Sequence, residues 1–136
     1  GGLVASRMTD VPGSSDYLLE GVVSYSNAAK MARLEVPAGT IERHGAVSAE
    51  TAAAMARGVR RTSGATYGLS TTGVAGPGGG TPEKPVGLVY LGLAAEDGVE
   101  TRKLMLGPDR HVNKTRSALA ALNLLRLALA RAAGGN

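Results

Sequence analysis

The sequence predicts a three-layer α/β/α domain around a mixed central sheet, and three observations carry that expectation. Strand-like and helix-like runs interleave along the chain with no internal repeat and no low-complexity linker. The run VGLVYLGLAA, residues 86–95, is almost wholly apolar, as a strand covered on both faces must be. The 136 residues suffice for one hydrophobic core, which aliphatic side chains must supply because Phe and Trp are absent and only four Tyr are present. The whole chain, 1–136, therefore reads as a single domain.

Taken in order, Leu3 to Thr9 has the pattern of a helix, ended by DVPGSS. Ser14 or Ser15 can cap a short helix through Leu19, since a serine oxygen accepts the free N–H groups of a first turn. GVVSYSN, 21–27, carries β-branched and aromatic residues and predicts a strand. AAKMARLEV and AGTIERHG predict two short helices, the second closed by Gly45 as a left-handed cap. Ser48 caps a longer helix over AETAAAMARGVRRTSG, with Glu50 at its positive end and Arg57, Arg60 and Arg61 toward its negative end.

TYGLSTTGVA predicts a strand leading into a glycine-rich loop, and residues 86–95 predict the next strand. EDG at 96–98 is a tight turn into VETRKLML, 99–106, which alternates like an edge strand. A final helix runs from about Asp109 to Ala133, with Leu119, Leu122, Leu125 and Leu129 on one face for the core or a subunit interface. The chain opens on Gly1 and Gly2 directly before a helix, where a strand and a turn usually come first, so its front edge reads as removed.

Composition narrows the function. No cysteine is present, which removes thiolate nucleophiles, disulfides and thiolate metal sites. The net charge of +4 is mild and spread out, densest at Arg110, His111, Lys114 and Arg116. Neither the continuous basic stripe nor the stacking aromatics of a nucleic-acid binder is visible. No uninterrupted apolar run reaches membrane-span length, and the expectation is a cytoplasmic protein with no membrane partner. With only His44 and His111, a metal site or a Ser-His-Asp triad is not expected, and His44 is explained by its place at a helix end.

The loop STTGVAGPGGGTPEKPVG, 70–87, is the most distinctive stretch. Gly76, Gly78, Gly79 and Gly80 let the backbone approach a ligand and offer N–H groups to an anion, while Pro77, Pro82 and Pro85 limit its freedom. It has no G-K-[ST] ending and no following helix, so it is neither a Walker loop nor a dinucleotide fingerprint. A plain turn between strands explains it equally well.

The remaining chemistry is a serine activated by a lysine whose pKa is lowered by burial. GSSDYLLEGVVSYSNAAK supplies Ser15 at a helix start, Tyr25 at a strand end and Lys30 one helical turn on. On spacing alone the plainer readings lead: a cap, a packed aromatic and a surface lysine.

TGVAGPGGGTPEKPVGLVYLGLA, GSSDYLLEGVVSYSNAAK and RHGAVSAETAAAMARG together closely resemble the C-terminal domain of CinA proteins, the PncC-type nicotinamide-nucleotide amidase family. The resemblance spans essentially the whole chain. It implies hydrolysis of the carboxamide of nicotinamide mononucleotide to nicotinate mononucleotide and ammonia, in pyridine-nucleotide salvage, with no metal or organic cofactor. By motif, Ser15 would be the nucleophile, with Ser14 its rival, Lys30 the general base and Tyr25 a proton relay. Thr72 and the backbone from Gly73 through Ala75 to Gly76 would line the nucleotide pocket, and Arg110 would contact an anion. A homo-oligomer and a fused upstream domain are also implied. Family members carry a helix, a strand and an E-S-C-T-G-G segment before the helix that begins at Leu3, of which only Gly1 and Gly2 stand here, so the resemblance implies that an N-terminal strand and helix are missing. The alternatives are a domain that binds a nucleotide or partner without turnover, and an inactive fragment of the complete fold.

Overall fold

The computed structural model describes residues 1–134. Helix α1 (Leu3–Thr9) leads through a 3₁₀ turn (Ser14–Asp16) and an extended segment to α2 (Asn27–Leu34), α3 (Ala38–His44) and α4 (Ala49–Ser63). Strands β1 (Gly68–Gly73), β2 (Leu88–Ala95) and β3 (Gly98–Met105) follow, and α5 (Arg110–Gly134) closes the chain.

The strands form one sheet in the order β1-β2-β3. Leu91 of β2 faces Thr71 on one side and Arg102 on the other. The layered α/β class is as the sequence predicts, but the sheet is not mixed: both strand pairs are antiparallel among the described residues. The β2–β3 turn at Glu96 and Asp97 is too short for a parallel crossover, which needs a dozen residues or more.

Period-two alternation divides the sheet's faces. Val89, Leu91 and Leu93 point to one side and pack with Ala121 and Leu124 of α5. Ser70 and Gly92 point to the other, where the Ser70 hydroxyl donates to the Ala52 carbonyl of α4 at 2.6 Å. A Cβ on Gly92 would lie 2.4 Å from that same carbonyl, so the glycine lets α4 lie close on the strands. Beyond α4, Leu34, Val36 and Met55 form a second core with Val22 and Ile41.

The expected Ser48 cap is present, and two further caps, not anticipated from the sequence, stand beside it. Ser48 Oγ accepts from Thr51 N–H at 3.0 Å, and Gly64 closes α4 in the left-handed region. Ser26 caps α2 by accepting from Ala29 N–H.

Other expectations are corrected. The predicted short helix from Ser14 or Ser15 to Leu19 is only the 3₁₀ turn, entered through Gly13 with no serine cap. Among the described residues the predicted strand at 21–27 has no strand partner and forms no ladder; β-branched residues favour a strand only where a neighbour accepts their backbone. Gly45 takes φ +77° but ψ 170°, so it is not the left-handed cap expected. The most buried apolar residues of α5 are Ala118, Ala121 and Leu124; of the predicted leucine face Leu125 packs against the core, while Leu119 and Leu129 are exposed. Small alanines at 118 and 121 permit close helix–sheet contact. Among the described residues α5 is the one helix long and apolar enough to cross a membrane, yet it packs on α1, β1 and β2 as a core helix does.

Candidate functional site

A cavity of about 1150 Å³ lies between α1, the extended segment before α2, the outer edge of β1 and one face of α5. All six residues of β1 line it, because β1 has no neighbouring strand on that side among the described residues. The α5 face presents Arg110, Asn113, Lys114 and Ser117, the i, i+3, i+4, i+7 positions of one stripe. The volume exceeds the usual range for small-ligand sites, roughly 300–1,000 Å³.

Lys30 enters this cavity from the first turns of α2 and is only 6% exposed. Its amine donates to the Ser24 carbonyl at 2.9 Å and to the Tyr25 carbonyl at 3.3 Å. Helix α2 turns back over the segment that precedes it, which brings the lysine onto carbonyls five and six residues earlier. Burial pushes the Lys30 pKa below its ordinary value, because desolvation penalises the ammonium form. A carboxylate partner would oppose that shift, and among the described residues Lys30 forms no ion pair.

Arg110 joins three parts of the site. One guanidinium nitrogen donates to the Gly76 carbonyl at 2.8 Å, and the other donates to the Tyr25 hydroxyl at 3.1 Å. The planar fork of arginine suits such a two-way bridge. One turn along, Asn113 Nδ2 donates to the Ala75 carbonyl at 3.0 Å and to the Gly107 carbonyl at 2.8 Å. The first turn of α5 thus grips two successive carbonyls of the glycine loop. At Gly76 the loop takes φ +87°, and a Cβ there would meet Val86 at 2.5 Å, so glycine is required.

The structure brings Tyr25, Lys30, Thr72, Gly73, Ala75, Gly76 and Arg110 to this one cavity. The Thr72 hydroxyl is already engaged, donating to the Ala46 carbonyl at 2.7 Å. Tyr25 is 74% exposed, and only its carbonyl, not its hydroxyl, meets Lys30. Ser15 and Ser14 are not in the wall, although the next two residues, Asp16 and Tyr17, are. Neither serine hydroxyl bonds to Lys30 or Tyr25. The 3₁₀ turn ends after one turn, so no helix carries Ser15 toward the amine.

Asn113 is the site residue that sequence reasoning missed. Its signal was an amide side chain three residues after Arg110, on the stripe that α5 buries. His44 stands apart from the cavity, its carbonyl accepting from Lys84 and its ring 3.8 Å from Glu50. Among the described residues no group of three His, Asp or Glu could hold a metal ion.

Fold and site together define a class: a layered α/β domain with a cationic cavity beneath a glycine-rich loop at the sheet's edge. The family model for the CinA C-terminal domain matches residues 1–129, and the chain belongs to that family. It is 56% identical over 127 residues to a CinA-like protein of Desulfosudis oleivorans, covering 93% of this chain and 31% of that protein. It is 52% identical over 129 residues to a CinA-like protein of Kosmotoga olearia, covering 95% and 31%. The chain therefore spans about a third of the length of these curated relatives. Among solved structures it resembles the competence/damage inducible protein of Agrobacterium tumefaciens, with TM-score 0.91 and 40% identity over 93% of this chain and 78% of that one. The competence damage-inducible protein A of Klebsiella pneumoniae also gives TM-score 0.91, at 29% identity over 96% and 81%.

Proposed function

We propose that this domain is an amidohydrolase that converts nicotinamide mononucleotide to nicotinate mononucleotide and ammonia, with Lys30 as its general base. The observation that carries the reading is a buried lysine of lowered pKa that faces a cavity roomy enough for a mononucleotide and, among the described residues, has no carboxylate partner. A lysine so placed holds a larger neutral fraction near neutral pH than a solvated one, which is what a base requires.

In this reading Arg110 and the glycine loop bind the nucleotide, and Lys30 takes a proton from the attacking hydroxyl. The oxygen bonds to the carboxamide carbon, whose oxygen becomes negative and is met by backbone N–H groups. The Lys30 ammonium then protonates the departing nitrogen, the C–N bond breaks, and water hydrolyses the ester left on the enzyme. Ser15 is the proposed source of the hydroxyl, and it must approach by movement of the turn that holds it. A dimer or larger assembly through α5 belongs to the same reading, supported by the exposed Leu119, Leu127 and Leu129.

A second reading, nucleotide binding without turnover, is favoured by the position of Ser15 outside the cavity wall. Ammonia release from nicotinamide mononucleotide, measured for the wild type, Lys30→Ala and Ser15→Ala, decides between them. Turnover lost in both variants supports the serine–lysine route. Turnover lost only in Lys30→Ala moves the attack from Ser15 to Ser14 or water, which Ser14→Ala separates, and ligand binding with no release from the wild type supports the second reading.

A further inference from the structure

Asn113 is 1% exposed, yet its side chain is spent on two backbone carbonyls rather than on the sheet core. Its own carbonyl accepts from the Ser117 hydroxyl at 2.6 Å, and its Oδ1 is buried with no hydrogen-bond partner. An amide left half-satisfied at such depth is costly, so its two donated bonds must hold something whose orientation matters.

What one of them holds is the peptide between Ala75 and Gly76, while the other anchors the amide to the Gly107 carbonyl before α5. That peptide is trans, and in a planar trans peptide the C=O and the N–H point in opposite directions. With the Ala75 oxygen drawn toward Asn113, the Gly76 N–H is turned away from α5. Among the described residues it donates to no protein acceptor, while Gly76 itself lines the cavity. Arg110 fixes the next carbonyl, that of Gly76, so the glycine is pinned from both sides. The loop's base is tied independently, by Val74 N–H to Leu88 and Gly87 N–H to Val74.

We propose that Asn113 is a positioning residue that orients the Ala75–Gly76 peptide, so that the Gly76 N–H serves as a donor to an anionic group of the bound ligand. This rests on the amidase reading only for the identity of the anion, which there is the oxyanion formed from the carboxamide. A backbone donor held this way needs no reorganisation when negative charge develops beside it.

The test is nuclear magnetic resonance on the full ¹⁵N-labelled chain. Residual dipolar couplings read the direction of the Gly76 N–H vector without ligand, and amide shifts read its contact with nicotinate mononucleotide or inorganic phosphate. The wild type should show a downfield Gly76 amide shift with at least one probe. Asn113→Ala, with Asn113→Ser as the milder replacement, should change the Gly76 coupling, abolish that shift and weaken the probe by roughly 10-fold. An unchanged coupling in a folded variant overturns the proposal, as does a wild-type Gly76 amide that responds to neither probe. A wild type that releases no ammonia yet shows an Asn113-dependent Gly76 shift defeats the amidase reading and leaves this one standing.

Discussion

The Lys30 amine lies 2.9 Å from the Ser24 carbonyl, so the proposed base is held by backbone and not by an acid. A carbonyl accepts from the neutral and the charged amine alike, and the lysine keeps its position through a proton cycle. Lys30→Met retains the apolar stem and removes the nitrogen. We expect it to fold and to lose about 10²- to 10⁴-fold in turnover, the usual worth of a general base. Steady-state ammonia release beside circular dichroism checks both halves.

The lowered Lys30 pKa also sets a pH dependence of stability. The folded chain holds this proton less tightly than the unfolded chain, whose value is the ordinary 10.5. Between the folded value and 10.5, unfolding takes up a proton, so this residue's contribution to stability rises with pH across that window. Below the window both states are protonated and the burial cost is constant. The wild-type melting temperature should therefore gain on that of Lys30→Met as pH climbs toward 10.5, and parallel profiles would contradict this.

Arg110→Lys tests the bridge between Gly76 and Tyr25. A lysine has one nitrogen and cannot span both acceptors as the guanidinium does. Ligand affinity should fall by roughly 10-fold, the equivalent of one lost charge-assisted hydrogen bond. Calorimetric titration with the mononucleotide measures it, and the melting temperature should barely move because Arg110 lies outside both core clusters.

Gly58→Ala probes the packing of α2 on α4. A Cβ there would sit 1.8 Å from the Leu34 carbonyl oxygen, a backbone atom that cannot swing aside. The variant should lose about 3 kcal/mol despite alanine's better helix propensity. Urea denaturation would show it as a lower midpoint with an unchanged slope.

Helix α4 with its capping Ser48 was legible in the sequence because that signal is local, whereas the caps expected at Ser14 or Ser15 and at Gly45 did not form. Ser48 and Gly64 bound α4 as their chemistry requires. The segment 21–27 was not legible, since its alternation is that of a strand and only the absence of a neighbour keeps it from pairing. The leucine stripe of α5 was legible only in part: Leu125 packs on the core but Leu119 and Leu129 do not, and Ala118 and Ala121 face the sheet because little room separates helix from strands, a distance that is a tertiary property. In the site, Lys30, Tyr25, Arg110 and the glycine loop were found by type and motif. Ser15 was placed by motif without a helix to carry it inward, and Asn113 was invisible until the carbonyls of Ala75 and Gly107 stood beside it.

The bond from Arg110 to Tyr25 joins positions 85 residues apart, and that from Arg110 to Gly76 spans 34. Contacts of such separation form after local helices, because closing the intervening chain costs entropy before any bond is made. A nascent chain that has not yet made α5 has Lys30 and the glycine loop but lacks the Arg110 bridge between Tyr25 and Gly76, so this wall of the cavity is assembled only after the helix that follows the sheet emerges.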